Sequence, residues 1–306
     1  MIQRILVTGG AGFIGSHTVD WLLRQGKQVV ILDNLTSGKL SHLDLQHPDL
    51  EFIEGDVLEF PLVLDLLNGC DAVLHLAAIA SVPRTIEDPV YTFQVNTQGF
   101  LHVLQAIRIA KRPIRLVYAS SAAVYGEATA LPCRDDLPLS GVPLSPYALQ
   151  KIHAEDYAAL YARLHGVNSL GLRYFNVFGQ RQDPDSPYSG VITKFINAYK
   201  SGVELKIFGD GKQSRDFIHV SDVAKANYLA LTGDYYGVLN IATGQPESLL
   251  HMIQYMESAG KKPATVVHEP ARVGDILNSY AATKMAEQHL EFKYSVSLKE
   301  GIELMM

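Results

Sequence analysis

The stretch TGGAGFIG, residues 8–15, decides the fold of this chain of 306 residues. It overlaps the end of the apolar run at residues 4–9, whose Ile, Val and Thr are typical of a buried strand. It leads into residues 15–26, a segment with the composition of a helix that ends at a glycine. A strand, a glycine-rich turn and a helix therefore follow one another at the start of the chain.

The glycines of this turn have the spacing of a phosphate-binding loop. Gly10, Gly12 and Gly15 give GxGxxG, and Gly9 with the last two gives GxxGxxG. Such glycines allow a tight turn, close approach of the backbone to a pyrophosphate and close packing of helix on strand. The phosphates would lie at the helix N-terminus, where free N–H groups and the helix dipole favour anions. Because glycine-rich turns are common, the flanking strand and helix are what make this a predicted dinucleotide site.

Two acidic residues after the next strands indicate which dinucleotide binds. Asp33 lies at the end of the strand predicted at residues 28–34, where it can accept hydrogen bonds from the adenosine ribose. Its charge would repel a 2′-phosphate, which favours NAD over NADP. Asp56 lies at the end of the third predicted strand, where the adenine amino group would lie. The alternative for Asp33 and Asn34 is an ordinary turn.

Strand-like and helix-like segments continue to alternate along the first part of the chain. Further strands are predicted at residues 50–57, 71–78, 114–121 and from 168, and helices at 61–70, 88–110 and 145–165. This alternation predicts an α/β protein with a Rossmann-type doubly wound parallel sheet, covered by helices on both faces.

The alternation breaks up after Gly179, which predicts a smaller α/β C-terminal substrate domain. The predicted NAD-binding domain comprises residues 1–174 and about 216–242, because residues 216–232 have the pattern of a strand and a helix that return to it. The predicted substrate domain comprises residues 175–215 and about 243–306.

Composition excludes several classes of protein. The 47% hydrophobic and 19% charged residues are ordinary for a soluble globular protein, and the net charge of −6 argues against general nucleic-acid affinity. Cys70 and Cys133 cannot form a disulfide framework, and the absence of CxxC fits a reducing cytoplasm. We find no signal-peptide pattern and no apolar run approaching the ~20 residues of a membrane span. We therefore expect a cytoplasmic protein with no membrane or nucleic-acid partner and no metal.

The stretch SPYALQK, residues 145–151, places Tyr147 and Lys151 one helical turn apart on one face. If Tyr147 is a base, its pKa must fall from about 10 by roughly 3 units, or about 4 kcal/mol. A positive charge about 4 Å away contributes about 4 kcal/mol at an effective dielectric constant of 20, so Lys151 could supply much of it, and an oxidised nicotinamide ring would add to it. Lys151 could also hold the ribose of a nicotinamide. The alternative is a half-buried ring beside a solvated amine.

The motifs TGGAGFIG, HLAA, YASSAAVYG and YALQK together resemble the extended short-chain dehydrogenase/reductase family of nucleotide-sugar enzymes, over essentially the whole chain. The resemblance implies that Tyr147 is the catalytic base, that Lys151 is its partner and that Ser121 bonds to the reacting sugar hydroxyl. It also implies a tightly held NAD that is not consumed. The predicted cofactor contacts are Gly9, Gly12, Phe13, Ile14, Gly15, Asp33, Asn34, Asp56, Val57, Leu76, Ala77, Ala78, Asn96, Tyr147 and Lys151.

Two alanines narrow the reaction within that family. Dehydratases and decarboxylases that resemble this chain carry an acid directly after the fifth strand, because elimination must move a proton and protonate the leaving hydroxyl. Ala122 and Ala123 stand there instead. Only removal and return of a hydride is left, which resembles a 4-epimerase.

The second half of the chain is similar to the nucleotide-diphosphate half of UDP-sugar epimerases. This similarity implies that Asn176 meets the phosphate–sugar region, that residues 191–195 line the uracil and that Asp275 binds the uridine ribose. Arg215 and Arg272 would clamp the pyrophosphate, since an Arg fork suits phosphate oxygens; the alternative for each is a surface salt bridge. The predicted substrate contacts are Ser81, Ser121, Asn176, Gln182, Val191, Phe195, Arg215, Arg272, Asp275 and Ser279.

Ser279 bears on which sugar binds. A tyrosine at this place in the family narrows the sugar pocket, whereas a small residue leaves room for an N-acetyl group. We therefore predict reversible 4-epimerisation of UDP-GlcNAc and UDP-GalNAc, with UDP-glucose/UDP-galactose or UDP-glucuronate as the alternative. A non-catalytic NAD sensor and a net oxidoreductase are alternatives from other classes. The helices at residues 88–110 and 148–165 could form a homodimer or cover only their own sheet.

Overall fold

The computed structural model describes residues 2–128, 130–139, 142–183, 190–271 and 276–306. The strands are β1 Arg4–Thr8, β2 Gln28–Asp33, β3 Leu50–Glu54, β4 Ala72–His75, β5 Arg115–Ser121, β6 Ser169–Tyr174, β7 Asn176–Phe178, β8 Leu205–Phe208, β9 Ser214–His219, β10 Gly237–Ile241, β11 Pro246–Ser248, β12 Val266–Glu269 and β13 Asn278–Ser279. The helices are α1 Phe13–Arg24, α2 Phe60–Leu67, α3 Val82–Glu87, α4 Pro89–Phe93, α5 Gly99–Ala110, α6 Pro146–His165, α7 Val191–Lys200, α8 Val220–Thr232, α9 Leu249–Gly260, α10 Lys284–Leu290 and α11 Leu298–Met305.

Seven parallel strands form the large sheet, in the order β10-β6-β5-β4-β1-β2-β3. The predicted Rossmann-type fold class is thereby confirmed. β1 lies at the point where the strand order reverses, with β2 on one side and β4 on the other. In such sheets ligands bind in the crevice beyond the carboxyl ends of the strands at this point, which is where the glycine turn lies.

Helices cover both faces of the large sheet, and each face has its own apolar core. Ile5 and Val7 of β1 belong to the core that includes residues of α1 and α8. Leu6, between them, belongs to the core that includes residues of α2, α5 and α6. Because side chains alternate between faces along a strand, a strand covered on both sides is apolar at every position, as β1 is from Ile5 to Val7.

A second, smaller group of elements follows β6. β7, β9, β11 and β13 form one sheet, and β8 pairs with β12. A third apolar core joins α7, α9 and α11, with Phe195 and Met252 among its buried members. None of the helices in the described part of the chain has both the length and the apolar character that crossing a membrane requires.

Three details differ from the predicted elements. The helix predicted at residues 88–110 is divided into α4 and α5 by a π-helical turn, Gln94–Gln98. The strand predicted from residue 168 ends at Tyr174, and β7 then joins the smaller sheet. In residues 216–232, α8 packs against the large sheet as predicted, but β9 pairs with β7, β11 and β13, and β10 is the strand that completes the large sheet.

Candidate active site

The glycine turn forms one wall of a cleft of about 390 Å³ at the carboxyl ends of the strands. Gly9 has a φ of +73°, which side-chain-bearing residues rarely adopt. A Cβ at Gly15 would lie 2.1 Å from the Gly9 carbonyl oxygen, so the turn has no space for a side chain at this position. This tight turn leaves the N-terminus of α1 open to the cleft, as a bound pyrophosphate requires.

Asp33 connects the end of β2 to the glycine turn. Its buried carboxylate accepts hydrogen bonds from the backbone N–H of Ala11 and of Leu35, both at 2.9 Å. The Asn34 amide donates to the Asp56 carboxylate at 2.8 Å, which joins the ends of two neighbouring strands. Both acids line the cleft beside the turn. The narrow turn and the acid beside it therefore fit the adenosine and pyrophosphate of NAD.

The floor of the cleft is held from below by a buried pair. The Thr8 hydroxyl lies 2.8 Å from His75 Nδ1 and accepts the Ala77 N–H at 3.2 Å. Burial, followed by the charge of Lys151, lowers the pKa of His75 to about 3, so the ring is neutral. The pair thereby fixes the backbone that follows β4, where Leu76, Ala77 and Ala78 line the cleft.

Tyr147 and Lys151 both line the cleft opposite the glycine turn. Helix α6 begins here because the Ser145 hydroxyl caps it by accepting the Ala148 N–H at 3.2 Å, with Pro146 in the first turn. Lys151 Nζ lies 5.8 Å from the centroid of the Tyr147 ring and donates to the Ala119 carbonyl at 2.7 Å. Burial lowers the pKa of Lys151 to about 8.

The pKa of Tyr147 differs from the sequence-based expectation. Burial raises it, and only the hydrogen bond with the Ser121 side chain acts in the opposite direction. The Lys151 amine donates to the Ala119 carbonyl and not to the phenol, so no hydrogen bond from the lysine offsets the effect of burial. Ser121 and Tyr147 are nevertheless brought together, from β5 and α6, as the resemblance implies.

Most of the predicted cofactor contacts line the cleft, but Asn96 does not. It lies in the π-helical turn, where its side chain bonds to both backbone groups of Ile79 and donates to Gln150 at 2.7 Å. Asn96 thus holds the segment after β4 in place instead of facing the cleft. Ser81, predicted to contact the sugar, caps α3 by accepting the Arg84 N–H and lies just beyond the lining residues.

The predicted substrate residues are only partly brought together. Gln182 lines the cleft, and its side chain accepts a hydrogen bond from Thr193 on α7. The Asn176 amide donates to the Asp216 carbonyl at 2.9 Å. Arg215 and Ser279 are neighbours in register on β9 and β13.

Two predicted uracil contacts lie elsewhere, and two residues cannot be placed. Phe195 is buried in the third core, and Val191 packs beside that core, so neither lines the cleft in the described structure. Arg272 and Asp275 lie outside the described residues.

Several residues of the cleft escaped the sequence-based prediction. Tyr174 is the last residue of β6 and Phe175 and Val177 follow it, so the rule that ligands bind at carboxyl ends of strands could have identified them. The other lining residues not predicted are Leu32, Thr36, Ser37, Gly55, Ile79, Ala80, Val95, Ala119 and Ser120. The described residues hold no group of three or more His, Cys, Asp or Glu side chains suited to a metal ion.

Comparison with known proteins agrees with this geometry. The profile of the NAD dependent epimerase/dehydratase family matches residues 5–242. A putative UDP-glucose 4-epimerase of Methanocaldococcus jannaschii is 40% identical over 98% of this chain and 96% of its own.

Two solved structures are also similar. UDP-N-acetylglucosamine 4-epimerase from Methanobrevibacter ruminantium has a TM-score of 0.93 at 37% identity, covering 99% of this chain and 98% of its own. UDP-glucose 4-epimerase from Thermus thermophilus, solved with NAD, has a TM-score of 0.88 at 35% identity, covering 99% and 97%.

Proposed function

Because the chain belongs to the NAD-dependent epimerase/dehydratase family, we propose that it interconverts UDP-GlcNAc and UDP-GalNAc, which differ in configuration at carbon 4 of the sugar. The observation that carries the reaction type is the end of β5. Ser121 meets Tyr147 there, and the turn that follows, Ala122–Tyr125, begins with two alanines. No carboxylic acid stands beside Ser121 in that turn to carry out an elimination, so the pair serves oxidation and reduction at one carbon.

Each residue of the pair has a definite task in the proposed reaction. NAD, the cofactor of the family, supplies the acceptor and then the donor of the carbon-4 hydride. Tyr147 takes the proton of the sugar 4-hydroxyl and later returns it, while Ser121 orients that oxygen. Lys151, with a pKa of about 8, is mostly charged at neutral pH and favours the phenolate of Tyr147. The diphosphate stays bound while the sugar rotates to present its other face, and we assign the binding of the diphosphate to Arg215 and Arg272.

The preference for an N-acetylated sugar rests on Ser279. The residue is small, is partly exposed and lies next to Arg215 across the β9–β13 pair. If Arg215 holds the diphosphate, the sugar extends past this strand, and a serine leaves more room there than a tyrosine. The UDP-N-acetylglucosamine 4-epimerase of Methanobrevibacter ruminantium supports the same assignment by similarity. UDP-glucose 4-epimerisation is the second candidate, since two of the similar proteins carry that name.

The central experiment tests the reaction and its base together. Purified protein is incubated separately with UDP-GlcNAc and UDP-glucose, and the products are separated chromatographically. Tyr147→Phe should lower the rate by about 10²–10⁴-fold, the usual contribution of a general base, while NAD stays bound. Tyr294→Phe, at an exposed tyrosine outside both the cleft and the proposed dimer surface, is the matched control and should leave the rate unchanged. A near-normal rate in Tyr147→Phe would refute the proposed mechanism.

A second experiment separates the two candidate sugars. Ser279→Tyr should block UDP-GlcNAc and spare UDP-glucose, because only the acetamido group needs the space that the ring fills. Ser279→Ala keeps the space and should leave both activities. Equal loss of both activities in Ser279→Tyr would count against the position of the sugar pocket.

We also propose a homodimer built on α4 and α6. Val90, Phe93, Leu149 and Tyr157 are large apolar side chains exposed on these helices, with Val90 70% exposed. A copy of the chain would cover them, whereas helices that served only their own sheet would not need them. Leu149→Asp should convert a dimer into a monomer in analytical ultracentrifugation. If the wild type is itself monomeric, the proposal fails. A cytoplasmic location and the two-domain division also remain proposals.

A further inference from the structure

Helix α6 carries a buried acid on the side that holds Tyr147 and Lys151: Glu155, one turn after the lysine. We propose that Glu155 is a positioning residue for the epimerase reaction, which aligns the Ser121 end of β5 with the helix that bears Lys151 and places a negative charge one turn from the lysine. The proposal rests on the functions proposed above for Tyr147, Lys151 and Ser121.

The Glu155 carboxylate is buried, and both of its oxygens accept hydrogen bonds. One oxygen accepts the Ser120 hydroxyl and Arg173 Nε, the latter at 2.9 Å, and the other accepts Arg173 Nη2 at 2.6 Å. The side chains of Glu155 and Arg173 are only 9% and 4% exposed. Ser120 directly precedes Ser121, so this carboxylate joins the residue beside the reacting hydroxyl to the helix that bears the base.

Arg173 extends the connection to the turn after Ser121. Its Nη1 donates to the Tyr125 hydroxyl at 2.9 Å, and that hydroxyl donates to Asn240 Oδ1 at 2.7 Å. Tyr125 closes the turn that begins at Ala122. One buried ion pair therefore fixes α6, the end of β5 and this turn relative to one another.

A purely stabilising role is a weak explanation for such a pair. The cost of removing two charges from water offsets most of their attraction, and apolar residues of similar size often replace a buried pair without loss of stability. The pair is thus expected to matter more for what it positions than for the free energy of unfolding.

Charge gives Glu155 its second task. Lys151 is buried and donates to a neutral carbonyl, and burial lowers its pKa to about 8, while Glu155 raises it. The other titratable groups near this amine are Tyr147 on its own helix and His75 on β4, which is neutral; Arg173 on β6 is bonded to the Glu155 carboxylate and is not among the groups that shift the pKa of Lys151. Glu155 is therefore the anion that opposes the effect of burial on Lys151.

The test removes the pair without leaving a buried charge. Glu155→Gln combined with Arg173→Met is compared with wild type in kcat and kcat/KM between pH 6 and 9.5. The alkaline limb reports the loss of the positive charge of Lys151. We expect it to move about one pH unit lower, because Glu155, which attracts the lysine amine, is the nearer of the two charges removed. The rate at pH 8.5 then falls about sixfold more than the rate at pH 6.5. Removal of the exposed pair Arg4–Glu51 by Arg4→Met and Glu51→Gln is the control and should not move the limb.

The outcomes are distinguishable. A uniform fall in rate, with both limbs unmoved, would mean a structural role only and would overturn the proposal. Should the double variant fail to fold, Glu155→Gln alone keeps the size of the side chain and removes its charge, and it should move the alkaline limb lower. An unmoved limb in that variant would overturn the proposal.

The proposed function can fail separately. If the wild type epimerises neither UDP-sugar, that function is wrong. The role of Glu155 is then tested by the pH dependence of NAD affinity, because NAD binding needs a charged Lys151 but no turnover. In the double variant this pH dependence should also move to lower pH. An unmoved pH dependence of that affinity would overturn the proposal.

Discussion

His75 lies under the cofactor cleft, and its protonation should make the stability of the protein depend on pH. Its Nδ1 faces the Thr8 hydroxyl at 2.8 Å, and this hydroxyl accepts the Ala77 N–H at the floor of the cleft. Burial, followed by the charge of Lys151, lowers the pKa of the imidazole from 6.5 to about 3. The ring is therefore neutral in the folded protein at every pH of interest.

The sign and size of the effect follow from the two states. Below pH about 6.5 the unfolded chain binds a proton at this histidine and the folded chain does not. The stability is therefore complete above that pH and is lost as the pH falls towards about 3. Between pH 7.5 and pH 5.0 the loss is about 2 kcal/mol. Any folded-state pKa below about 4 gives the same figure, because the buried ring is then neutral at pH 5.

The assay compares pH dependences, so that other titrating groups cancel. His75→Asn removes the titration and leaves an amide that can bond to Thr8. In urea unfolding with the same excess of NAD, wild type should lose about 2 kcal/mol more than the variant between pH 7.5 and 5.0. His165→Gln, at an exposed histidine, should keep the wild-type pH dependence. Equal losses in wild type and His75→Asn would refute the neutral buried ring.

Three further changes test other parts of the structure. Gly15→Ala places a methyl group 2.1 Å from the Gly9 carbonyl oxygen, so the turn must shift; NAD affinity measured by calorimetry should fall about tenfold, and an unchanged affinity would contradict the cradle. Asp216→Ala removes the acceptor of three backbone N–H groups and of the Thr243 hydroxyl. Urea unfolding should show that the free energy of unfolding falls by about 3–5 kcal/mol. An unchanged free energy of unfolding would mean that water replaces the carboxylate and would contradict this prediction. Lys151→Met removes a buried amine whose pKa falls from 10.5 to about 8. The variant should be inactive, yet up to about 3 kcal/mol more stable in urea unfolding at pH 7. A lower free energy of unfolding than that of the wild type would contradict this cost of burying the amine.

The large sheet is predictable from the sequence because its signals are local. The central strand β1 is covered on both faces, so Ile5, Leu6 and Val7 are all apolar although they point in alternating directions. The glycine turn is local as well: Gly9 needs its backbone conformation and Gly15 its space within the same few residues. The cofactor side of the cleft follows from these two facts and from the rule for carboxyl ends of strands.

The details that differ arise from contacts between distant residues. Asn96 bonds to Ile79, 17 residues away, and to Gln150, 54 residues away, and nothing in residues 94–98 indicates either partner. The sequence of β9 is equally compatible with either sheet, and its pairing with β7 and β11 decides the matter. Phe195 lies in the third core because α7 packs there, which the motif around it does not indicate.

The electrostatics of Tyr147 show how such long-range placement changes a mechanism. Spacing along α6 suggests that Lys151 lowers the pKa of the phenol, but the amine donates to Ala119 and burial raises that pKa. A phenolate near neutral pH then needs more than the roughly 4 kcal/mol that separates pH 7 from the usual pKa of about 10, and a further positive charge in the cleft must supply part of it. An oxidised nicotinamide ring carries one and a reduced ring does not. Tyr147 is therefore expected to be a base when the cofactor is oxidised and an acid when it is reduced, the order that removal and return of one hydride requires.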